Sequence, residues 1–293
     1  MHFVFKEKKK LHLFKLKKHL KEIYNISDIE ILISTMNRES LDFLVPMFPF
    51  DHFANFQILI VNQTQNEKTL TSDYSNVRVI NSFETGLAKS RNTALENAVG
   101  KILLIADDDV VYEEEFLNKI IQGYHKFPEA AVIHFEAVNS NGDLIKKYPS
   151  GSKPNLNIFD ILNVSSIEMT LNKRIIDESK IRFDENFGLG SAFEMGEEAV
   201  FLSDFKEKKK QLAFYPEIIV KHESQTSSNK KDDTERYYIQ GALFSRIFKK
   251  KYKIWLFIKL FFDLKQKRIK FKNIKTVLES GRNGHEKFEK IPR

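Results

Sequence analysis

Between residues 30 and 137 the chain alternates short apolar runs with amphipathic stretches, and that alternation leaves few folds open. Residues 30–34 (EILIS), 57–62 (QILIVN) and 77–81 (VRVIN) read as strands. Leu87, Ala88, Ala94, Leu95, Ala98 and Val99 then recur at a helical period, with Gly100 in the place of a C-terminal cap. Residues 101–106 (KILLIA) are a strand that runs straight into three aspartates. A helix over 113–126 stops before Pro128, and 130–137 is a further apolar strand. Strands joined through helices imply crossover units and a mostly parallel sheet covered on both faces.

Beyond this body the pattern loosens. Residues 139–162 are rich in Asn, Gly, Ser and Pro and read as loop. A strand over 166–172, a helix over 197–209, and two short strands within 211–222 broken at Pro216 follow. The polar tract 223–233 (ESQTSSNKKDD) reads as a lid or linker, and helical segments resume at Thr234. The expected organisation is a basic N-terminal arm over 1–26, an α/β domain over 27–232 and a basic helical region over 233–293.

Charge follows that division. Residues 1–22 carry eight Lys and Arg against two acids, and residues 246–293 carry sixteen against four. With a net charge of +7 for the whole chain, the remainder is 7 − 6 − 12 = −11. A nucleic-acid-binding protein would place its positive charge on the folded body, so no nucleic-acid partner is expected. The chain has no cysteine, which excludes disulfides, thiolate metal sites and cysteine nucleophiles. Lysines interrupt the N-terminus too often for a signal peptide, and no window reaches the roughly 20 apolar residues of a spanning helix. A cytoplasmic protein, peripheral on the inner face of the cell membrane, is expected.

The chemistry concentrates at Asp107, Asp108 and Asp109. Ligands of open α/β sheets bind off the carboxyl ends of strands. Adjacent carboxylates suit a hard cation such as Mg²⁺ or Mn²⁺. On its own the triplet fits a solvated turn, and Asp107-x-Asp109-x-Val111 fits the nucleophile loop of haloacid-dehalogenase-type phosphatases. That loop normally opens its fold, whereas three strands and a helix precede it here.

The stretch GLAKSRNTALENAVGKILLIADDDVVY (86–112) resembles the central signature of family-2 glycosyltransferases of the GT-A fold, in which a helix leads into a strand ending in a DxD motif. ILISTMNRES (31–40) resembles that family's first strand and nucleotide-binding loop, with Ser34-Thr35 where Pro-Thr is more usual. ILIVNQTQ (58–65) resembles the second strand, with Asn62 where an Asp for the uracil ring commonly stands. FGLGSAFEMGEEAVFLSDF (187–205) resembles the acceptor-side segment, with Glu198 in the place of the base Asp.

The resemblance implies an inverting transfer of sugar from a nucleoside-diphosphate sugar to a glycan acceptor, lipid-linked, in surface polysaccharide synthesis. It implies Ser34, Thr35, Asn37, Arg38, Asn62, Arg91, Asp107 and Asp108 on the nucleotide-sugar and Asp109 and His222 on the metal, Mn²⁺ or Mg²⁺. Glu198 or its neighbour Glu197 is then the general base, although two acids in a helix's first turn are also ordinary. Rival readings are a phosphatase using Asp107 and a non-catalytic binder of polyanions or membrane surface.

From Tyr252 to Lys272, Ile254, Trp255, Phe257, Ile258, Phe261, Phe262 and Leu264 alternate with Lys and Arg. Such a helix suits an anionic membrane surface, and equally a helix packed on the sheet with a lysine face in water.

Overall fold

The structure, a computed structural model, describes residues 24–65, 68–222 and 231–292. The basic arm up to residue 23 and most of the polar tract, 223–230, lie outside the described residues. Eight strands form one mixed sheet: β1 (Ile29–Met36), β2 (Ile58–Gln63), β3 (Val77–Ser82), β4 (Ile102–Asp107), β5 (Val111–Tyr112), β6 (Ala130–Val138), β7 (Met169–Asn172) and β8 (Gln211–Lys221). Their order is β3-β2-β1-β4-β7-β6-β8-β5. The run β3-β2-β1-β4 is parallel, and β7 pairs antiparallel with both β4 and β6.

Alternation along the strands builds two cores. Ile31 and Ile33 of β1 and Ile102 and Leu104 of β4 join Phe116 and Ile120 on one face of the sheet. Leu32, Leu103 and Ile105 point to the other face, where Ala88, Ala94 and Leu95 of helix α1 (Leu87–Asn97) and Phe201, Leu202 and Phe205 meet them. Helix α2 (Phe116–Lys126) covers the first face, α3 (Lys173–Ser179) follows β7, and α4 (Glu197–Glu207) covers the second.

Two details differ from the sequence reading. Gly100 is not a left-handed cap: a Cβ there would lie 2.6 Å from Cβ of Glu30, so close backbone approach requires the glycine. Glu30 is buried at that point because its carboxylate takes the N–H groups of Val99 (2.6 Å) and Gly100 (2.8 Å) and faces Arg78. Residues 211–221 form one strand, since Pro216 falls in a bulge where the β6 register moves from Phe214 to Ile218. Within the region expected to be helical, the segment after residue 272 forms a further helix.

That helix completes a C-terminal trio: α5 (Asp233–Phe248), α6 (Tyr252–Lys265) and α7 (Ile274–Glu289). α5 and α7 cross at glycine contacts, where a Cβ on Gly241 would meet the carbonyl oxygen of Gly281 at 1.8 Å. The trio shares a third core with Phe187, Phe193, Ala199 and Val200. Arg246 of α5 ties it down, bonding Asp184 (2.8 Å) and Asp204 (2.7 and 3.0 Å).

Candidate active site

The site begins where the strand order turns back. β1 has β2 on one side and β4 on the other, and a crevice opens off the carboxyl ends of β1 and β4. Register puts Ser34 beside Asp107 and Thr35 beside Asn62. The cleft there has a volume of about 1010 Å³. Ser34, Thr35, Arg91, Asp107, Asp108, Asp109, Glu197, Glu198 and His222 all line it, although they come from five separate segments.

The loop after β1 is held from below. Asn62 is fully buried, accepts the backbone N–H of Arg38 (3.0 Å) and donates to the carbonyl of the same residue (3.0 Å). Asn37 turns that loop in the left-handed region, φ 54°. Arg38 reaches Asp108 through Nε (2.9 Å) and Nη2 (2.7 Å), and the Thr35 hydroxyl donates to the same carboxylate. Asn62, Asn37 and Arg38 do not line the cleft itself. Ser90 of α1 donates to the Ser34 hydroxyl at 2.9 Å.

Asp107 faces the other way, into a buried charge cluster. Arg91, 2% exposed, donates to Glu197 (2.9 Å), Glu198 (3.3 Å) and Asp107 (3.1 Å). The sequence reading had it facing the donor; its guanidinium is instead directed at three carboxylates. Burial opposes its charge, but Asp107, Glu198 and Glu197 outweigh that and hold its pKa above the usual range. Burial raises the Asp107 pKa, with Glu198 and Asp109 adding to the rise and Arg91 opposing it.

One cation among three carboxylates leaves two negative charges, and the group resolves this by keeping a proton. Glu197 is the more buried of the two glutamates. Burial first, and then the Glu198 charge, push its carboxyl up to about 8 despite Arg91. Glu198 is the more open, its side chain 16% exposed against 6% for Glu197. The arrangement therefore sets the more open Glu198 carboxyl beside a neighbour, Glu197, that keeps its proton at neutral pH.

Asp109 and His222 meet on the opposite lip. β5 pairs with β8, and the backbone N–H of His222 is fixed on Val138 (2.9 Å), which brings His222 Nε2 to 3.4 Å from Asp109. The hydrogen bond from His222 lowers the Asp109 pKa, against the effect of partial burial. The Asp109 carboxylate is a donor that suits a hard cation such as Mn²⁺ or Mg²⁺, while an imidazole nitrogen more often serves softer divalent ions. Among the described residues no three His, Asp or Glu side chains are gathered into a metal cage.

Sequence reasoning missed the far half of the cleft. Lys146, Phe159, Gln240, Trp255, Lys259 and Phe262 line it, from the loop after β6 and from α5 and α6. Nothing in their spacing announces them, because the helices that carry them reach the cleft only through tertiary packing.

Comparison with known proteins agrees with this geometry. Residues 31–170, from β1 into β7 and through the three aspartates, match the family model for glycosyl transferase family 2. That stretch carries the family's sequence pattern, and the sheet with its flanking helices has the GT-A architecture. The solved structure of residues 1–349 of S. aureus TarS shares the architecture at 14% identity, covering 86% of this chain and 78% of that one, with a TM-score of 0.55. The TarS fragment in complex with UDP-GlcNAc aligns with a TM-score of 0.56, again at 14% identity, over 86% of this chain and 79% of that one. Its complex with UDP aligns at 0.53 and 14% identity, over 84% and 76%.

Proposed function

We propose that the chain transfers a sugar, with inversion, from a nucleoside-diphosphate sugar to a hydroxyl of a glycan acceptor carried on a lipid, in surface-polysaccharide synthesis. The observation that carries this reading is the meeting of Asp107–Asp109 with Glu198 in one cleft at the switch point of the sheet. The UDP-GlcNAc complex of TarS, a protein of the same fold, supports a UDP-sugar as donor.

In this reading Ser34 and Thr35 face the nucleotide, and Asp108 is steadied for the ribose by Arg38 and Thr35. Asp109 and His222 would hold Mn²⁺ or Mg²⁺, whose chemistry is to neutralise charge on the departing diphosphate. The acceptor oxygen forms its bond to the anomeric carbon as the bond from that carbon to the phosphate oxygen breaks. The electron pair leaves with the diphosphate, and the acceptor proton passes to Glu198. Arg91 holds the Glu198 carboxylate in position. A phosphatase reading needs Asp107 free for in-line attack, whereas Arg91 occupies that carboxylate.

The cationic C-terminal region supports docking on the anionic inner face of the membrane. Ile254, Phe257 and Phe261 are 59%, 58% and 62% exposed on α6, flanked by exposed lysines, while Trp255 turns inward to stack on Phe248 at 4.0 Å. Among the described residues no helix is long and apolar enough to cross a membrane.

Release of UDP from UDP-GlcNAc with Mn²⁺, compared between the native protein and Glu198→Gln, tests the catalytic reading. Turnover in the native protein and its loss in the variant are expected. Equal turnover in both would overturn the assignment of Glu198.

A further inference from the structure

Helix α6 turns three faces to three surroundings. Tyr252, Leu256, Leu260 and Asp263 fall together at the helical period and are buried. Ile254, Phe257 and Phe261 lie on the opposite side in solvent. Between these faces Trp255, Lys259 and Phe262 line the cleft.

Aromatic rings carry the outer face round into the cleft. Phe261 lies edge-on to Phe262 at 5.7 Å, and Trp255 packs on Phe159 at 5.6 Å. Phe159 and Phe262 line the cleft and are nonetheless 54% and 43% exposed. Apolar carbon left open at the mouth of a pocket marks a surface awaiting an apolar ligand.

Two ammonium groups are set into this apolar wall, each fixed from behind by a buried acid. Lys259 pairs with Asp263, which also accepts the Tyr237 hydroxyl at 3.0 Å. Lys146 pairs at 2.7 Å with Glu168, which also accepts the Tyr148 hydroxyl and faces His134. Glu168 and Asp263 are 0% and 1% exposed. Burying a carboxylate costs desolvation that its ion pair at best offsets, so the arrangement is a poor way to gain stability. What it does fix is the position of the two ammoniums on the cleft wall. Lys146 gives protons to Glu168 and Ser165 (2.9 Å), which leaves one N–H for a ligand. The side-chain oxygen of Gln240, another lining residue, is buried and has no partner among the described residues.

We infer that this half of the cleft is the binding site for the lipid end of the acceptor: an apolar chain along Phe262, Trp255 and Phe159, with its phosphate at Lys259 and Lys146. The inference rests on the transfer reading above and gives that acceptor its chemical class, a long apolar chain esterified to phosphate. A soluble glycan would leave the apolar mouth in water. Because the outer face of the same helix is the proposed membrane contact, the mouth of the cleft would open at the lipid surface.

Trp255 is the only tryptophan in the chain, so its emission reports on this site alone. The full-length protein is titrated with farnesyl phosphate below its critical micelle concentration, with farnesol and inorganic phosphate as the separate halves of that probe. A saturable change in Trp255 emission is expected with farnesyl phosphate, at least ten-fold weaker with farnesol and absent with inorganic phosphate. Phe262→Ser, at an exposed position that need not disturb folding, should weaken farnesyl phosphate at least ten-fold. UDP binding with Mn²⁺, followed by thermal shift in the same samples, should be unchanged. No saturable change, equal response to farnesol, or full affinity in Phe262→Ser would each overturn the inference. Loss of UDP binding in the native protein would instead count against the transfer reading beneath it.

Discussion

Replacing Arg91 with Met removes the one cation from a cluster of three carboxylates while keeping most of the side-chain volume. Arg91 is 2% exposed and Glu197 5%, so water does little to screen what is lost. Breaking a buried ion pair by deleting one partner costs about 3–5 kcal/mol, because the other charge is left uncompensated. For a domain of this size each kcal/mol lowers the melting temperature by about 2–4 °C, which gives a fall of about 6–20 °C. The loss should depend on pH, and its sign is fixed by the direction of the shift. Glu197 already has its folded pKa raised, to about 8, so its contribution to stability is full below its unfolded value and is lost as pH rises through about 8. Without Arg91 the cluster carboxyls should be raised further. The destabilisation should therefore be smallest near pH 5, where protons replace the guanidinium, and largest near pH 8. Melting followed by circular dichroism at both pH values measures it. A variant that melts within a degree or two of the native protein, or with the same deficit at both pH values, would refute the reasoning.

Glu198→Gln should cut turnover by about 10²–10⁴-fold with donor affinity kept. Glu197→Gln, at a position read as already neutral, should lose far less, and the reverse ranking in steady-state assays would move the base by one residue. Replacing Ile254, Phe257 and Phe261 together with Ser should release the protein from phosphatidylglycerol vesicles without lowering its melting temperature, since all three are solvent-exposed. Each lysine near the surface contributes about 1 kcal/mol, so native co-sedimentation should also fall with salt and vanish on phosphatidylcholine; binding that ignores lipid charge would exclude this docking. Gly241→Ala should destabilise the protein by about 1–3 kcal/mol or more, because its Cβ would overlap the Gly281 carbonyl at 1.8 Å. Denaturant melts would expose the error if the substitution proved neutral.

The half of the molecule proposed to bind the donor was readable because its signals are local. An apolar run ending in three aspartates places Asp107–Asp109 at a strand end, and a helical period locates α1. Which way Arg91 points was not readable, since Glu197 and Glu198 arrive from 106 and 107 residues away. β5 is two residues long and exists only because β8 pairs with it, so no periodicity could show it. Pro216 suggested a break in β8, but a bulge absorbs the proline and the strand continues. On α6 the sequence grouped Trp255 and Phe262 with Phe257 and Phe261 as one apolar face. Packing separates them, because Phe248 and Phe159 draw Trp255 inward while Phe257 and Phe261 stay in water.

The proposed function requires metal-dependent binding of nucleotide at Asp109 and His222. Calorimetric titration of UDP into the native protein and Asp109→Asn, each with and without Mn²⁺, measures that dependence. The native protein should bind UDP at least ten-fold more tightly with Mn²⁺ than without it, and Asp109→Asn should bind with the weaker affinity in both conditions. Equal affinity with and without Mn²⁺ in the native protein, or a Mn²⁺ effect that survives in Asp109→Asn, would contradict it.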